Sequence, residues 1–116
     1  METEIVTPAT VEKKFLDLSK EIDEAHSQLE IAERRFHNTK ADFEIAMAHS
    51  RLKHRNQAVL MREDLALVDN ESLCRDLATA EALVRASRAN ASRLETQVDL
   101  ARSMGTSVRA SMVVGG

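Results

Sequence analysis

Arg51, Arg55 and Arg62 stand four and seven residues apart, with His49, Lys53 and His54 among them. On one continuous helix this spacing puts the three guanidinium groups on a single face. Residues 47–62 hold four cations and no acid, although the whole chain has a formal charge of -3. Positive charge concentrated in this way holds a phosphate backbone through counterion release and charge-assisted hydrogen bonds. The competing reading is a solvated basic face beside a turn.

A second set of candidates lies near the C-terminus, in the run Val98-Asp99-Leu100-Ala101-Arg102-Ser103-Met104-Gly105-Thr106-Ser107-Val108-Arg109. Arg102 and Arg109 are seven residues apart and bracket the first glycine of the chain. Gly105 permits a left-handed helix cap or a close approach of backbone to phosphate, and Ser103, Thr106 and Ser107 can donate to phosphate oxygens. A helix stop followed by a short docking helix explains the same residues.

Nothing in the sequence suggests catalysis. His26, His37, His49 and His54 are separated by 11, 12 and 5 residues, none of which brings two ligands together on one helix turn. A metal site within the chain is not expected, and no cofactor is implied. Cys74 adjoins an apolar seam position and reads as a small buried hydrophobe rather than a nucleophile. Phosphate-binding loops, dinucleotide fingerprints and nucleophile elbows are absent from the sequence, so it is not read as an enzyme.

These residues must be positioned by helices. From Ala9 to Met104 there is neither glycine nor proline, and apolar residues recur at alternating intervals of three and four. Thr7 is an N-cap, Pro8 occupies the first helical position, and Val6 and Val11 have the spacing of a hydrophobic staple. One seam runs Val11, Phe15, Leu18, Ile22, Ala25, Leu29, Ala32, Phe36, Thr39, Phe43, Ala46. A second runs Leu73, Leu77, Ala80, Val84, Ser87, Ala91, Leu94, Val98, Ala101. Both are coiled-coil seams rich in small residues, so the facing helix can come close.

Between the seams the phase slips. Lys53-His54-Arg55-Asn56-Gln57 is the favoured turn, and Asp69-Asn70-Glu71-Ser72 is the rival, with better capping residues but unequal arms. The expected fold is all-α: a single helical domain forming a long antiparallel hairpin, with helix 1 over about 8–52, a turn at 53–57, helix 2 over about 58–104 and a C-terminal segment 105–116. Each arm would be roughly 70 Å long at 1.5 Å per residue. A lone two-helix hairpin has little core, which implies a homo-oligomer.

Composition agrees with this class. Hydrophobic residues make up 43% and charged residues 30%, too apolar for a disordered chain, and the three Phe are its only aromatics, which argues against a stacking pocket. No transmembrane stretch or signal peptide is read, and one cysteine without an export signal points to a reducing cytoplasm. In a hairpin closing near residue 55, Arg85 and Arg88 come opposite Glu21, Asp23 and Glu24, and Arg93 opposite Asp17, as interhelical ion pairs or as ligand contacts. Arg102 and Arg109 have only Glu2, Glu4 and Glu12 to pair with across the hairpin.

The run Ala101–Arg109 resembles the basic-Ser-x-Gly-x-x-aliphatic-basic segment near the C-terminus of the UvsY family of phage recombination mediators. Upstream, Ala48-His49-Ser50-Arg51-Leu52 resembles the Lys-x-Arg-Leu segment that the family uses on single-stranded DNA, with Arg51 and Leu52 matching and His49 in the place of a lysine. The glycine-containing loop that follows this segment in the family is missing. The resemblance implies a small helical protein that assembles into a ring, binds single-stranded DNA, weakens the hold of single-strand binding protein and helps load a recombinase. The nucleic-acid contacts would be Arg51, Lys53, His54, Arg55, Arg62, Arg102, Ser103, Gly105, Ser107 and Arg109. The rival function is a structural or adaptor coiled coil, for phage assembly or scaffolding, whose arginines serve only helix pairing.

Overall fold

The computed structural model describes residues 7–114, which are helical apart from short connections: α1 (Pro8–Lys53), α2 (Val59–Asp69) and α3 (Glu71–Val114). The chain is therefore all-α. No helix among the described residues is long and apolar enough to cross a membrane. Contacts divide the chain into two units, one joining the residues up to Gln28 with those from Arg88 onward, the other comprising Leu29–Ser87.

In the first unit, α1 begins at the expected cap. The Thr10 backbone N–H donates to Thr7 Oγ1 at 3.2 Å, satisfying one of the donors that a helix start leaves unpaired. Val6, the other half of the proposed staple, lies outside the described residues, as do Glu2 and Glu4. Leu18 and Ala25 pack with Ala91, Leu94, Val98 and Ala101, and Phe15 and Ile22 close over them. The two helices run antiparallel here: Val11 lies by Gly105, and His26 Nε2 meets Glu95 Oε1 at 3.0 Å. Each fully buried Leu or Val in such a seam contributes about 1.5–3 kcal/mol.

Gly105 differs from expectation. It does not stop the helix or adopt a left-handed conformation, because α3 continues through it to Val114 with no positive-φ residue among those described. A Cβ there would lie 3.3 Å from Val11 Cγ1. The missing side chain gives α1 room to approach α3, and the helical hydrogen bonds of the surrounding turns carry the backbone across.

The second unit contains the chain reversal. α1 ends at Lys53, with Arg51 and Lys53 in its last turn where they complement the helix dipole. His54 N–H donates to Ser50 O, Arg55 N–H to Leu52 O and Gln57 N–H to His54 O, which carries the chain into α2 without a glycine. The rival turn is used as well, so the expected single helix over 58–104 is broken. Asn70 closes α2 and opens α3: its N–H is shared between Ala66 O and Leu67 O, while its own carbonyl accepts from Cys74 N–H.

Its side chain ties this joint to α1. Asn70 Nδ2 donates to Ala66 O at 2.8 Å and to Ser50 Oγ at 2.9 Å, with Ala46 O at 3.4 Å. Ser50 is buried, as are Met47 and Ala66 beside it. An amide with two donors is suited to this place, since it satisfies a helix-end carbonyl and a buried hydroxyl together. Cys74, expected to be buried, is exposed: it lies one position past the half-buried Leu73, on the outer side of α3.

Asn70→Ala removes the amide donor that Ser50 and the Ala66 carbonyl share and is expected to cost about 1–3 kcal/mol. Urea denaturation checks this, with an unchanged midpoint counting against the role assigned to Asn70.

Candidate nucleic-acid interface

The basic block of residues 47–62 straddles the end of α1, the reversal and the start of α2. Its cations do not form one open face. Arg51 Nε donates to Glu63 Oε1 at 2.8 Å, and His54 Nε2 donates to Asp69 Oδ2 at 2.8 Å, with Lys53 Nζ 4.0 Å from the same oxygen. Arg62 is half-buried, with its Nε enclosed and without a hydrogen-bond partner. Arg55 is exposed and has no ion pair among the described residues. The acids that follow the block in sequence thus fold back over it, and a phosphate would have to displace Glu63 or Asp69 to reach most of these cations.

His54 and Asp69 are the most enclosed of the pairs, with side chains 18% and 29% exposed. The hydrogen bond from His54 holds the Asp69 carboxyl below its ordinary value of 3.8, against the opposing effect of burial. The charges of Lys53 and His54 and a hydrogen bond from Ser50 act in the same direction as the His54 bond.

The C-terminal candidates belong to the first unit. Arg102 lies over the Phe15 ring, 5.6 Å from its centroid, at cation–π distance. Its nearest carboxylate is Asp99, one turn back at 3.9 Å and well exposed. Arg109, Ser103 and Ser107 are exposed, and Arg109 makes no ion pair among the described residues. Arg102 and Arg109 rim a groove of about 570 Å³ whose floor includes Val11, Phe15 and Gly105, with Thr106 and Glu12 beside them. A second groove of about 380 Å³ shares Val11 and Ala101 and is lined by Lys13, Lys14 and Asp17, the two lysines exposed and without an ion pair among the described residues.

Lys13 and Lys14 were not among the candidates that the sequence singled out. Glu12 and Asp17 flank them in the chain and hide them from a count by sequence window. Helix pairing, not local composition, brings them to the groove beside Ala101 and Met104.

Arg85 and Arg93 pair differently from expectation. Arg85 bonds Glu81 and Arg93 bonds the side-chain oxygen of Asn90, both on their own helix rather than with the acids of α1. Neighbours three and four residues away are reached at less entropic cost than partners across a seam. A cross-helix contact in this region joins His26 to Glu95. Among the described residues no group of three His, Cys, Asp or Glu is placed to hold a metal ion.

Comparison with protein-family models, curated proteins and solved structures found no match.

The Asp69 shift has a definite pH signature. A carboxyl held low in the folded state contributes stability above its ordinary value of 3.8, and that stability is lost as pH falls through the lower folded value. Asp69→Asn should therefore lower the melting temperature at pH 7 and narrow its gap to the unsubstituted protein as the pH drops below 3.8. Melting curves from pH 7 to pH 2 check this; a constant gap would rule out the pairing as the cause.

Proposed function

We propose that this chain is a non-catalytic mediator that binds single-stranded DNA and assists the loading of a recombinase. The observation that carries the reading is the cationic end of the first unit. Among the described residues Lys13, Lys14 and Arg109 have no ion pair, and Arg102 has only a distant one to Asp99. Hydroxyl groups of Ser103, Thr106 and Ser107 lie exposed on the same stretch of α3. Guanidinium groups and the Thr106 hydroxyl along one groove, and ammonium groups along the other, suit phosphates spaced along a flexible strand. The resemblance of Ala101–Arg109 to the mediator segment falls on the same residues. It supplies the recombinase and the single-strand binding protein as the partners in this proposal.

The DNA contact of this reading is placed on Arg102, Ser103, Ser107 and Arg109, with Lys13 and Lys14 added. Arg51, Lys53 and His54 are assigned to the ion pairs that hold α2 against α1. With Phe15 lying under Arg102 and neither Trp nor Tyr in the chain, phosphate contacts outweigh base stacking. Weak sequence preference and steep salt dependence follow.

A second reading, a structural or adaptor coiled coil without nucleic-acid binding, is favoured by the neutralised basic block, since Glu63 and Asp69 take the cations nearest the reversal.

Fluorescence anisotropy with a labelled single-stranded oligonucleotide separates the two. Arg102→Ala with Arg109→Ala should weaken binding at low salt at least about tenfold and reduce the slope of log affinity against log salt by about 1.4, for two lost phosphate contacts. Arg51→Ala should leave affinity nearly unchanged. Equal affinity for the double variant and the unsubstituted chain, or no binding by either, moves the assignment to the adaptor.

A further inference from the structure

Within the second unit α2 is docked by little apolar surface. Of its 11 residues Ala66 alone is buried, with Arg62, Glu63 and Leu65 half-buried. Val59, Leu60, Met61, Leu67 and Val68 are exposed and contribute little to its docking. A helix this short is marginal in water without tertiary packing. One docked group opposes the arrangement: Arg62 Nε is enclosed without a hydrogen-bond partner among the described residues, and solvent would satisfy it. Non-helical residues flank α2 on both sides, 54–58 before it and Asn70 after it, so it can leave α1 without breaking either long helix. Such an element belongs to the low-stability end of a fold.

What α2 covers is cationic. Glu63 Oε1 accepts from Arg51 Nε, and Asp69 Oδ2 meets His54 Nε2 and lies 4.0 Å from Lys53 Nζ. Without these two carboxylates, Arg51, Lys53 and Arg55 stand at the end of α1 in a stretch, residues 45–62, that holds no acid. The Arg51 and Glu63 side chains are 45% and 42% exposed, so their pair is solvated and holds α2 only weakly. A phosphate strand takes the same place on better terms. Each phosphate can accept two parallel N–H bonds from a guanidinium, and a strand brings several phosphates whose counterions are released on binding. An acidic protein partner would offer the group that α2 already supplies, with no condensed counterions to release.

We propose that α2 is an autoinhibitory mask over a second phosphate-binding site, formed by Arg51, Lys53 and Arg55 and taken by single-stranded DNA that displaces Glu63 and Asp69. Binding there undocks α2, and the helix frays once its packing is lost. The mask rests on the mediator reading for the identity of its ligand, and it uses none of the residues to which that reading assigns DNA.

Anisotropy binding of a labelled single-stranded oligonucleotide to the full chain at low salt tests it, with circular dichroism on each variant. Glu63→Gln with Asp69→Asn should bind about tenfold tighter than the unsubstituted chain, with a salt slope steeper by about 1.4 for two added phosphate contacts. Asp42→Asn with Asp76→Asn removes the same charge at exposed positions that have no ion pair among the described residues. This charge-matched control should gain no more than about twofold. Adding Arg51→Ala to the unmasked variant should remove most of its gain. Glu63→Gln alone should gain about threefold and carries the test if the double variant does not fold. Bound strand should also speed amide hydrogen exchange over residues 59–69. If the unsubstituted chain binds but the folded carboxylate variants bind no tighter than the control, the mask alone is overturned. A gain that survives Arg51→Ala, or exchange over α2 unchanged by the strand, has the same result. No binding by any of these proteins overturns the mask and the mediator reading together.

Discussion

Alanine sets how the helices meet. Ala25, Ala91 and Ala101 in one unit and Ala32, Ala66 and Ala80 in the other are each 5% exposed or less. A methyl group projects little from the backbone, so helices that face each other through alanines draw close, and Gly105 extends the same logic beneath Val11. Close approach has a consequence for the core: among the described residues no large side chain is completely buried. Leu18, Leu94 and Val98 contribute most of the apolar burial in the first unit, while larger residues such as Phe15 and Ile22 lie half-covered at the flanks. A helix paired on one face only also leaves its far side open. In the second unit Ile31, Ile45 and Leu52 are exposed on α1 at multiples of seven residues.

Electrostatics does comparatively little for the fold. Arg34 with Glu30, Arg75 with Glu71 and Arg85 with Glu81 are neighbours four residues apart on solvated helix surface, each worth about 0.3–0.5 kcal/mol. The contacts at the reversal join separate elements: Arg51 to Glu63, His54 to Asp69 and Asn70 to Ser50 each link the end of α1 to α2 or to the joint after it. They replace the glycine or proline that a sharp reversal commonly uses. They also lower the value of the same cations for a ligand, because a phosphate binding there would have to compete with a carboxylate already in place.

Much of this fold is legible in the sequence, because periodicity is a property of one chain. Every residue of both expected seams, from Val11 to Ala46 and from Leu73 to Ala101, is buried or half-buried. The cap at Thr7 is local and equally readable. What could not be read depends on contacts between distant residues. Two turn signals looked like alternatives, yet one reverses the chain and the other joins two helices, since Asn70 finds acceptors on α1 that no sequence window contains. Gly105 resembles a helix stop until Val11 is seen above it. Cys74 falls just outside the seam, where one residue of helical rotation decides exposure.

The same distinction governs the candidate site. Counting charge along the chain finds clusters of consecutive cations, and Arg51 to Arg62 is the most prominent of these. Antiparallel pairing then places a later acid beside an earlier base, as it does for Glu63 and Arg51. At the other end it gathers bases that lie far apart in sequence, Lys13 and Lys14 from α1 and Arg102 and Arg109 from α3, around grooves that share Val11 and Ala101. Such a cationic surface exists only when the two helices are paired. Any ligand that bridges both of its sides would therefore stabilise that pairing as it binds, because the unfolded chain holds the same charges too far apart to offer them together.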